Sequence, residues 1–437
     1  MPKMKEIGVA VLGFGTVGAG VVETLQKNGH LLADRLGIRL VLRGVADLDL
    51  TTDRGVKVDP ALLTTDGAAL IARPDVQIVV ELIGGTGVAK QFILQALQLG
   101  KTVVTANKKL LAEHGEEIQR VADEHQAEIL FEASVGGGIP IIKALREGLC
   151  ANRIERIYGI LNGTCNYILT RMEEEKLPFA EVLKAAQAAG YAEAEPSLDI
   201  DGHDTAHKAA VLASLAYGGH VPLAKIRVTG IRHLAAADIA YAAEMGYRIK
   251  LLAIIQGDAN GIEVSVQPTL VAHSHQLAAV GGVFNAVLVQ GDVVGTTLYY
   301  GRGAGRAATA SAVVADLADA ALNLQAGGRR RDLSAVQSRA PVAFRDPGEI
   351  VARNYLRFSM RDKPGTLASV ASILGRHQIG IDSVMQHEAP SPADYVPVII
   401  VTGPAPEREM DAALAEIAAT SGIVNQPAVR YRIEDFD

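Results

Sequence analysis

Short apolar runs alternate with half-apolar periodic stretches over the first 130 residues, a rhythm that predicts strands separated by helices. Residues 7–12 are almost continuously apolar and read as a buried strand, followed by an apolar-periodic helix through Leu25. Further strands are predicted over 40–46, 76–83, 101–105 and 127–131, with a helix over 89–99. Strands that alternate with helices call for a parallel sheet covered on both faces. From 132 to about 292 the order is less regular: a strand from 157, an Ala-rich helix after Lys208, and strands over 249–255 and 262–266. Residues 284–289 and 298–300 read as sheet strands that could cover a site and pair subunits. The Ala-rich helix after Arg306 is expected to pack back on the first domain.

The character changes over 326–350, where Gly327-Gly328-Arg329-Arg330-Arg331, Pro341 and Pro347 suggest a linker with a solvated arginine face. Beyond it, alternation over 354–360, a helix opening after Asp362-Lys363-Pro364-Gly365, strands at 379–385 and 396–402, a helix at 407–419 and a strand at 429–433 give a βαββαβ order.

Composition narrows the class without changing this picture. The chain has 437 residues, enough for two or three domains, and its 21% charged and 49% apolar residues are those of an ordinary globular protein. A net charge of −7 provides no footprint for nucleic acid. No apolar tract reads as a bilayer span and no lysine- or arginine-rich amphipathic helix argues for a membrane surface. Two cysteines, Cys150 and Cys165, make no disulfide framework, and with no signal-peptide pattern at the start they place the chain in a reducing cytoplasm.

Candidate chemistry begins at Gly13-Phe14-Gly15-Thr16-Val17-Gly18, a G-x-G-x-x-G run with a strand before it and a helix after it. Gly13 would make the tight turn, Gly15 would let backbone approach a pyrophosphate, and Gly18 would let helix and strand pack closely. The helix start would offer N–H groups to the phosphates. Asp47, at the end of the second strand, should bond the adenosine ribose hydroxyls and favour NAD, while Arg54 could accept a 2′-phosphate, so NADP stays open. Asp47 lies further from the glycines than usual, so the first helix or loop must be extended. The Gly84-Gly85 loop and Asn107-Lys108 follow strand ends and should face the nicotinamide.

The densest polar run is Asp199-Ile200-Asp201-Gly202-His203-Asp204-Thr205-Ala206-His207-Lys208. Gly202 breaks the chain before a helix, and Asp204 and Lys208 then stand one turn apart in the acid-before-base order that favours pairing. An ammonium held there by a carboxylate can donate to a nascent alkoxide. His203 and His207 could instead bind zinc with Asp199 or Glu195, although the H-E-x-x-H pattern is absent. Glu132 beside Gly136-Gly137-Gly138 could hold a hard cation through oxygen or an anion through N–H groups, or the run could be a hinge.

These motifs resemble those of the homoserine dehydrogenases: GFGTVG at 13–18, ELIGG at 81–85, TANKK at 105–109, EASVGGGIPI at 132–141, GILNGTCNYIL at 159–169, GYAEAEPSLDIDGHDTAHK at 190–208 and GRGAGRAATASAVVADL at 301–317. The resemblance implies NAD- or NADP-dependent interconversion of L-aspartate 4-semialdehyde and L-homoserine, on the route to threonine and methionine. It implies Lys208 as proton donor, Lys108 as a second catalytic lysine, and Glu193, Asp199 and Asp204 as acids of the substrate site. Phe14, Thr16, Val17, Lys108, Gly190 and Gly305 match dinucleotide contacts, and Glu132, Val135, Gly137 and Ile139 match a site for a monovalent cation, Na+ or K+. The last segment resembles the ACT domain, which implies threonine as a feedback ligand near Gly365 and residues 379–382. With no kinase module before residue 5, the stand-alone enzyme is expected, as a homodimer or homotetramer.

The fold class expected is therefore α/β: a Rossmann-type doubly wound sheet, an α+β catalytic and dimerisation domain, and a C-terminal ferredoxin-like ACT domain. The expected division is 1–131 for dinucleotide binding with the helix near 306–325 packing back, 132–305 for catalysis, a linker over 326–350, and 351–437 for regulation. Two other readings compete: a dehydrogenase of a different small amino aldehyde, and a non-catalytic amino-acid sensor. Lys108 and Lys208 beside a glycine loop argue against the sensor, and the Glu193 and Asp204 pair, which wants a substrate ammonium, argues against a simple hydroxy acid.

Overall fold

The structure is a computed structural model that describes residues 4–327, 342–387 and 394–436. Its described residues fall into two compact units. One comprises Met1–Gly163, Asp204–Ile226 and Val283–Val342, the other Thr164–His203, Arg227–Gly282 and Ala343–Asp437.

The first unit carries a six-stranded parallel sheet. Its strands are β1 (Lys5–Leu12), β2 (Ile38–Ala46), β3 (Leu63–Thr64), β4 (Ile78–Glu81), β5 (Thr102–Thr105) and β6 (Ile129–Leu130), in the spatial order β3-β2-β1-β4-β5-β6. The near-continuous apolar run of β1 feeds two cores, because side chains alternate between the faces of a strand. Ile7, Val9 and Val11 enter one core with α1 (Thr16–Leu36) and the helix Arg306–Gln325. Ala10 and Leu12 enter the other, with α2 (Gly67–Ala72), α3 (Val88–Gln98) and α4 (Lys108–Glu124).

Helix α1 runs eleven residues past the predicted end at Leu25, and Gly37, in the left-handed region at φ 66°, stops it. This long helix accounts for the distance from the glycines to Asp47. Helix Arg306–Gln325 is long and apolar enough to cross a membrane by composition, but it packs beside α1 in the core. Gly20 permits that approach, since a Cβ there would lie 2.8 Å from the Arg306 side chain. The unit also holds the antiparallel strands Ile154–Ile160, Phe284–Gly291 and Gly295–Arg302, with Phe284–Gly291 in the middle.

In the second unit, Tyr247–Asp258 and Gly261–Ala272 form a long antiparallel hairpin. The C-terminal module has the expected βαββαβ order: strands Val351–Arg361, Ile381–Gln386, Tyr395–Thr402 and Val429–Glu434, covered by helices Thr366–Arg376 and Glu407–Ala419. Its edge strand continues the hairpin sheet, Thr269–Val271 pairing in parallel with Arg432–Glu434. A buried clamp adds to this: Asp238 accepts hydrogen bonds from Tyr355 Oη (2.8 Å) and Arg357 Nε (2.5 Å) and Nη2 (3.0 Å). Most of the expected linker, residues 328–341, lies outside the described residues. After it, Ile262 N donates to the Ala343 carbonyl (2.8 Å) and Arg345 N to that of Ile262 (3.0 Å).

Candidate active site

The glycine turn between β1 and α1 is built by close approaches. A Cβ on Gly18 would collide with the Gly13 carbonyl, and one on Gly13, already at φ 94°, would lie 2.7 Å from the Leu82 carbonyl. Gly15 differs: nothing lies within 4 Å of its would-be Cβ. The turn is closed where chain meets chain and open at its middle glycine, the arrangement a pyrophosphate needs above a helix N-terminus. Asp47 braces the turn, one carboxylate oxygen accepting from Phe14 N–H and the other from Asp49 N–H (2.9 Å). Arg54 Nη2 donates to Asp49 Oδ2 at 2.9 Å. The residues therefore fit a dinucleotide.

The ends of β4 and β5 are knitted by Glu81, which is fully buried. Its Oε1 accepts from Ile83 and Gly84 N–H (2.8 and 2.9 Å) and its Oε2 from the Thr105 hydroxyl (2.7 Å). Asn107 caps α4 by accepting from Leu110 N–H, and its amide donates to the Gly85 carbonyl at 2.7 Å. This bracing fixes the Gly84-Gly85 loop and the start of α4, which carries Lys108.

Asp204, Lys108 and Lys208 meet there. The helix His203–Tyr217 is buried from Asp204 through Ala213, so its first acid and its lysine are held in the interior. Lys208 Nζ lies 2.6 Å from Asp204 Oδ2 and Lys108 Nζ 3.0 Å from Oδ1. Asn162 Nδ2 donates to Asp204 Oδ2 at 2.9 Å, and Lys208 also donates to the Leu161 carbonyl at 2.7 Å. Burial would push the Asp204 carboxyl up; the two ammonium groups and the hydrogen bonds from Lys208 and Asn162 outweigh it and hold the group well below the usual carboxylate range. Lys208 is nearly enclosed, whereas the Lys108 side chain is 35% exposed. The arrangement is a fixed ammonium, a carboxylate held in its ionised form at neutral pH and a second, reachable ammonium.

Other sequence-predicted residues lie elsewhere. Gly190, Glu193 and Asp199 belong to the second unit. There Glu193 is exposed, and the Asp199 carbonyl accepts from the buried Cys165 thiol at 3.2 Å. Gly305 opens the helix Arg306–Gln325 with φ 115°. Both carboxylate oxygens of Glu132 accept main-chain N–H groups, from Ile142 (3.0 Å) and Lys143 (2.8 Å), and burial pushes this carboxyl up. Val135 and Ile139 are buried, Gly136 and Gly137 turn at φ 75° and 53°, and Ile139 O accepts from Ile141 N–H. The zinc alternative fails to gain support: His203 is exposed, His207 is buried, and no group of three metal-binding side chains occurs among the described residues. Sequence reasoning did not single out Asn162 or Glu81; each is a polar residue at or just past the carboxyl end of an apolar strand, and that position was the available signal.

Comparison with known proteins agrees along the whole chain. Family models match for homoserine dehydrogenase at residues 140–318, its NAD binding domain at 13–132, and the ACT domain at 354–419. A homoserine dehydrogenase of Neisseria gonorrhoeae is 43% identical, covering 99% of this chain and 100% of its own. The crystal structure of a homoserine dehydrogenase from Thiobacillus denitrificans superposes with a TM-score of 0.92 at 42% identity, over 99% of both chains. A hyperthermophilic archaeal homoserine dehydrogenase in complex with NADPH superposes with a TM-score of 0.62 at 28% identity, covering 72% of this chain and 98% of that one.

Proposed function

The chain belongs to the homoserine dehydrogenase family of oxidoreductases, and from that premise we propose how its residues interconvert L-aspartate 4-semialdehyde and L-homoserine. The dinucleotide, when bound, supplies the hydride to the aldehyde carbon and recovers it in the reverse direction. As the carbonyl becomes an alkoxide, Lys208 donates its proton to that oxygen and is reprotonated from solvent. Asp204 aims Lys208, Asn162 and the Leu161 carbonyl fix the geometry, and Lys108 adds a second ammonium near the developing oxyanion.

The observation that carries this reading is the Lys108–Asp204–Lys208 cluster beside the braced strand ends. Lys208→Ala should lower turnover by about 10²- to 10⁴-fold while dinucleotide binding, followed by nicotinamide fluorescence, stays nearly intact. Retention of most of the turnover would remove Lys208 from the mechanism.

The finer features rest on narrower supports. Asp47 favours NAD and Arg54 leaves NADP usable, so the ratio of kcat/KM for the two decides preference. Glu132, with the main-chain oxygens of Val135, Gly137 and Ile139, would hold Na+ or K+, a charge that would relieve the buried carboxylate. Threonine is the proposed ligand of the ACT module at Gly365 and residues 379–382; an intact enzyme indifferent to threonine would leave the module a purely structural one. The apolar side chains Leu298 and Tyr300 on the half-exposed strand Gly295–Arg302 support a homodimer or homotetramer, and the two cysteines, neither of them in a disulfide, support a cytoplasmic setting. The division into 1–131 with 306–325, 132–305, a linker over 326–350 and 351–437 is proposed alongside these, supported by the family matches at 13–132, 140–318 and 354–419.

A further inference from the structure

Two guanidinium groups stand at the corner beyond Asp47, and each is paired with a carboxylate. Arg54 Nη2 lies 2.9 Å from Asp49 Oδ2, and Arg306 Nη2 lies 2.9 Å from Glu23 Oε2. The two pairs are stitched together, since Arg306 Nη1 donates to the Arg54 carbonyl at 2.9 Å.

Asp49 is itself fixed. Its Oδ1 accepts from Thr51 N–H (3.1 Å), the Thr51 hydroxyl (3.0 Å) and Thr52 N–H (3.0 Å), while its own N–H donates to Asp47 Oδ1 at 2.9 Å. Hydrogen bonds from Thr52 and Thr51 hold the Asp49 carboxyl well below the usual carboxylate range. It therefore stays charged at neutral pH and stays in place.

In a doubly wound fold the acid that ends the second strand meets the adenosine ribose, and a nearby arginine takes a 2′-phosphate where there is one. Here that acid is Asp47, fastened to the glycine turn through Phe14 N–H. The arginine is Arg54, one step further along the same hydrogen-bonded chain, across Asp49. A phosphate monoester carries about two negative charges at neutral pH. It would arrive beside two carboxylates, and drawing Arg54 to itself would leave Asp49 unpaired next to it.

We infer that Asp49 is a specificity-determining residue for the dinucleotide: its ion pair with Arg54 withholds the guanidinium from a 2′-phosphate and turns the enzyme toward NAD. The inference rests on the dinucleotide reading above and gives it a direction. Arg54 is 26% and Asp49 42% exposed, so solvent weakens the pair, and the discrimination is a bias that leaves NADP usable.

Asp49→Asn tests it, because the amide keeps an oxygen for the Thr51 and Thr52 N–H groups while losing the charge that holds Arg54. NADH and NADPH are titrated by nicotinamide fluorescence into the wild type, Asp49→Asn, Arg54→Ala and the double variant. The wild type should bind NADH more tightly than NADPH. In Asp49→Asn the ratio of the NADPH to the NADH dissociation constant should fall about tenfold, the effect of one charge-assisted hydrogen bond gained. Adenosine 2′,5′-bisphosphate should gain on AMP in the same proportion. Arg54→Ala alone should leave the ratio close to that of the wild type, and in the double variant the gain should disappear. A wild type that binds NADPH more tightly, a ratio unmoved in Asp49→Asn, or a gain that survives the loss of Arg54 would overturn the proposal. A wild-type enzyme that binds neither dinucleotide would overturn the cofactor reading itself, and this inference with it.

Discussion

Asp204→Asn preserves volume and removes one negative charge from between two positive ones. The amide oxygen can still accept from one lysine, but the amide nitrogen then points a donor at the other or at Asn162. Lys208, whose side chain is 10% exposed, would be left with the Leu161 carbonyl as its firm partner. Removing one member of a buried charge pair costs about 3–5 kcal/mol. The Lys108 contact contributes less than about 1 kcal/mol, because its ammonium is 35% exposed and solvent screens it. At about 2–4 °C per kcal/mol for a unit of this size, the first unit should melt roughly 6–20 °C lower. Turnover should fall about 10²-fold or more, since the ammonium loses its aim and its charge stabilisation. Acidification gives an independent check. Because the folded Asp204 carboxyl is held below its ordinary value, the folded state binds fewer protons than the unfolded one as pH falls through that range. Its stabilisation is fully present above about pH 4 and drains away as pH falls toward the folded value. The wild type should lose this increment on acidification and Asp204→Asn should not. The chain has no tryptophan, so reduced nicotinamide fluorescence is read without an indole background, and cofactor binding can be followed in both proteins. An Asn variant with wild-type melting, acid response and turnover would refute the claim that this carboxylate organises the site.

The two glycines of the turn should separate folding from binding. Gly15→Ala should melt like the wild type, its φ of −69° being open to alanine, but bind dinucleotide more weakly, as shown by titration. Gly18→Ala should destabilise the first unit outright; a normally folded Gly18→Ala would contradict the packing. Lys250, 3% exposed, donates to the Val280 carbonyl at 2.6 Å, and burial lowers its ammonium to about 8. Between pH 8 and the ordinary lysine range the unfolded state binds more protons, so stability should rise with pH in urea titrations, and Lys250→Met should abolish that rise. Asp238→Ala strands Arg357 and Tyr355 and should cost the second unit about 3–5 kcal/mol, while dinucleotide binding by the first unit stays unchanged; a silent substitution would show that the clamp holds nothing.

The parallel sheet was legible because strands buried on both faces are apolar without interruption, and β1, β4 and β5 are. The far end of α1 was not, because residues 26–36 are largely polar and include Gly29; packing keeps them helical and Gly37 ends them. The pairing of Asp204 with Lys208 followed from helical spacing, and Lys108 from its place beyond a strand end. The Leu161 carbonyl could not be foreseen, since a main-chain acceptor leaves no mark in a sequence. Nor could the three-residue parallel pairing that joins Val429–Glu434 to Gly261–Ala272, because an edge strand carries the same alternation whichever neighbour it meets.

The cluster's charge explains why an acid stands among its lysines at all. Two ammonium groups alone in an enclosed site would repel one another. A second carboxylate would make the site neutral and remove the attraction for a developing alkoxide. One carboxylate shared between two ammoniums leaves a single net positive charge, anchored before the reaction begins. In the proposed reaction that charge would have little to attract in a neutral carbonyl and most to attract once hydride has been transferred, so it would favour the transition state over the bound aldehyde. The unequal exposure of the lysines follows from the same logic. Lys208 is fixed by Asp204 and Leu161 and cannot be drawn away by a substrate carboxylate, while the more exposed Lys108 can adjust to whichever anion enters. An amino-acid sensor would gain nothing from keeping an ammonium buried against a main-chain carbonyl; a dehydrogenase needs it there at the moment an oxygen acquires charge.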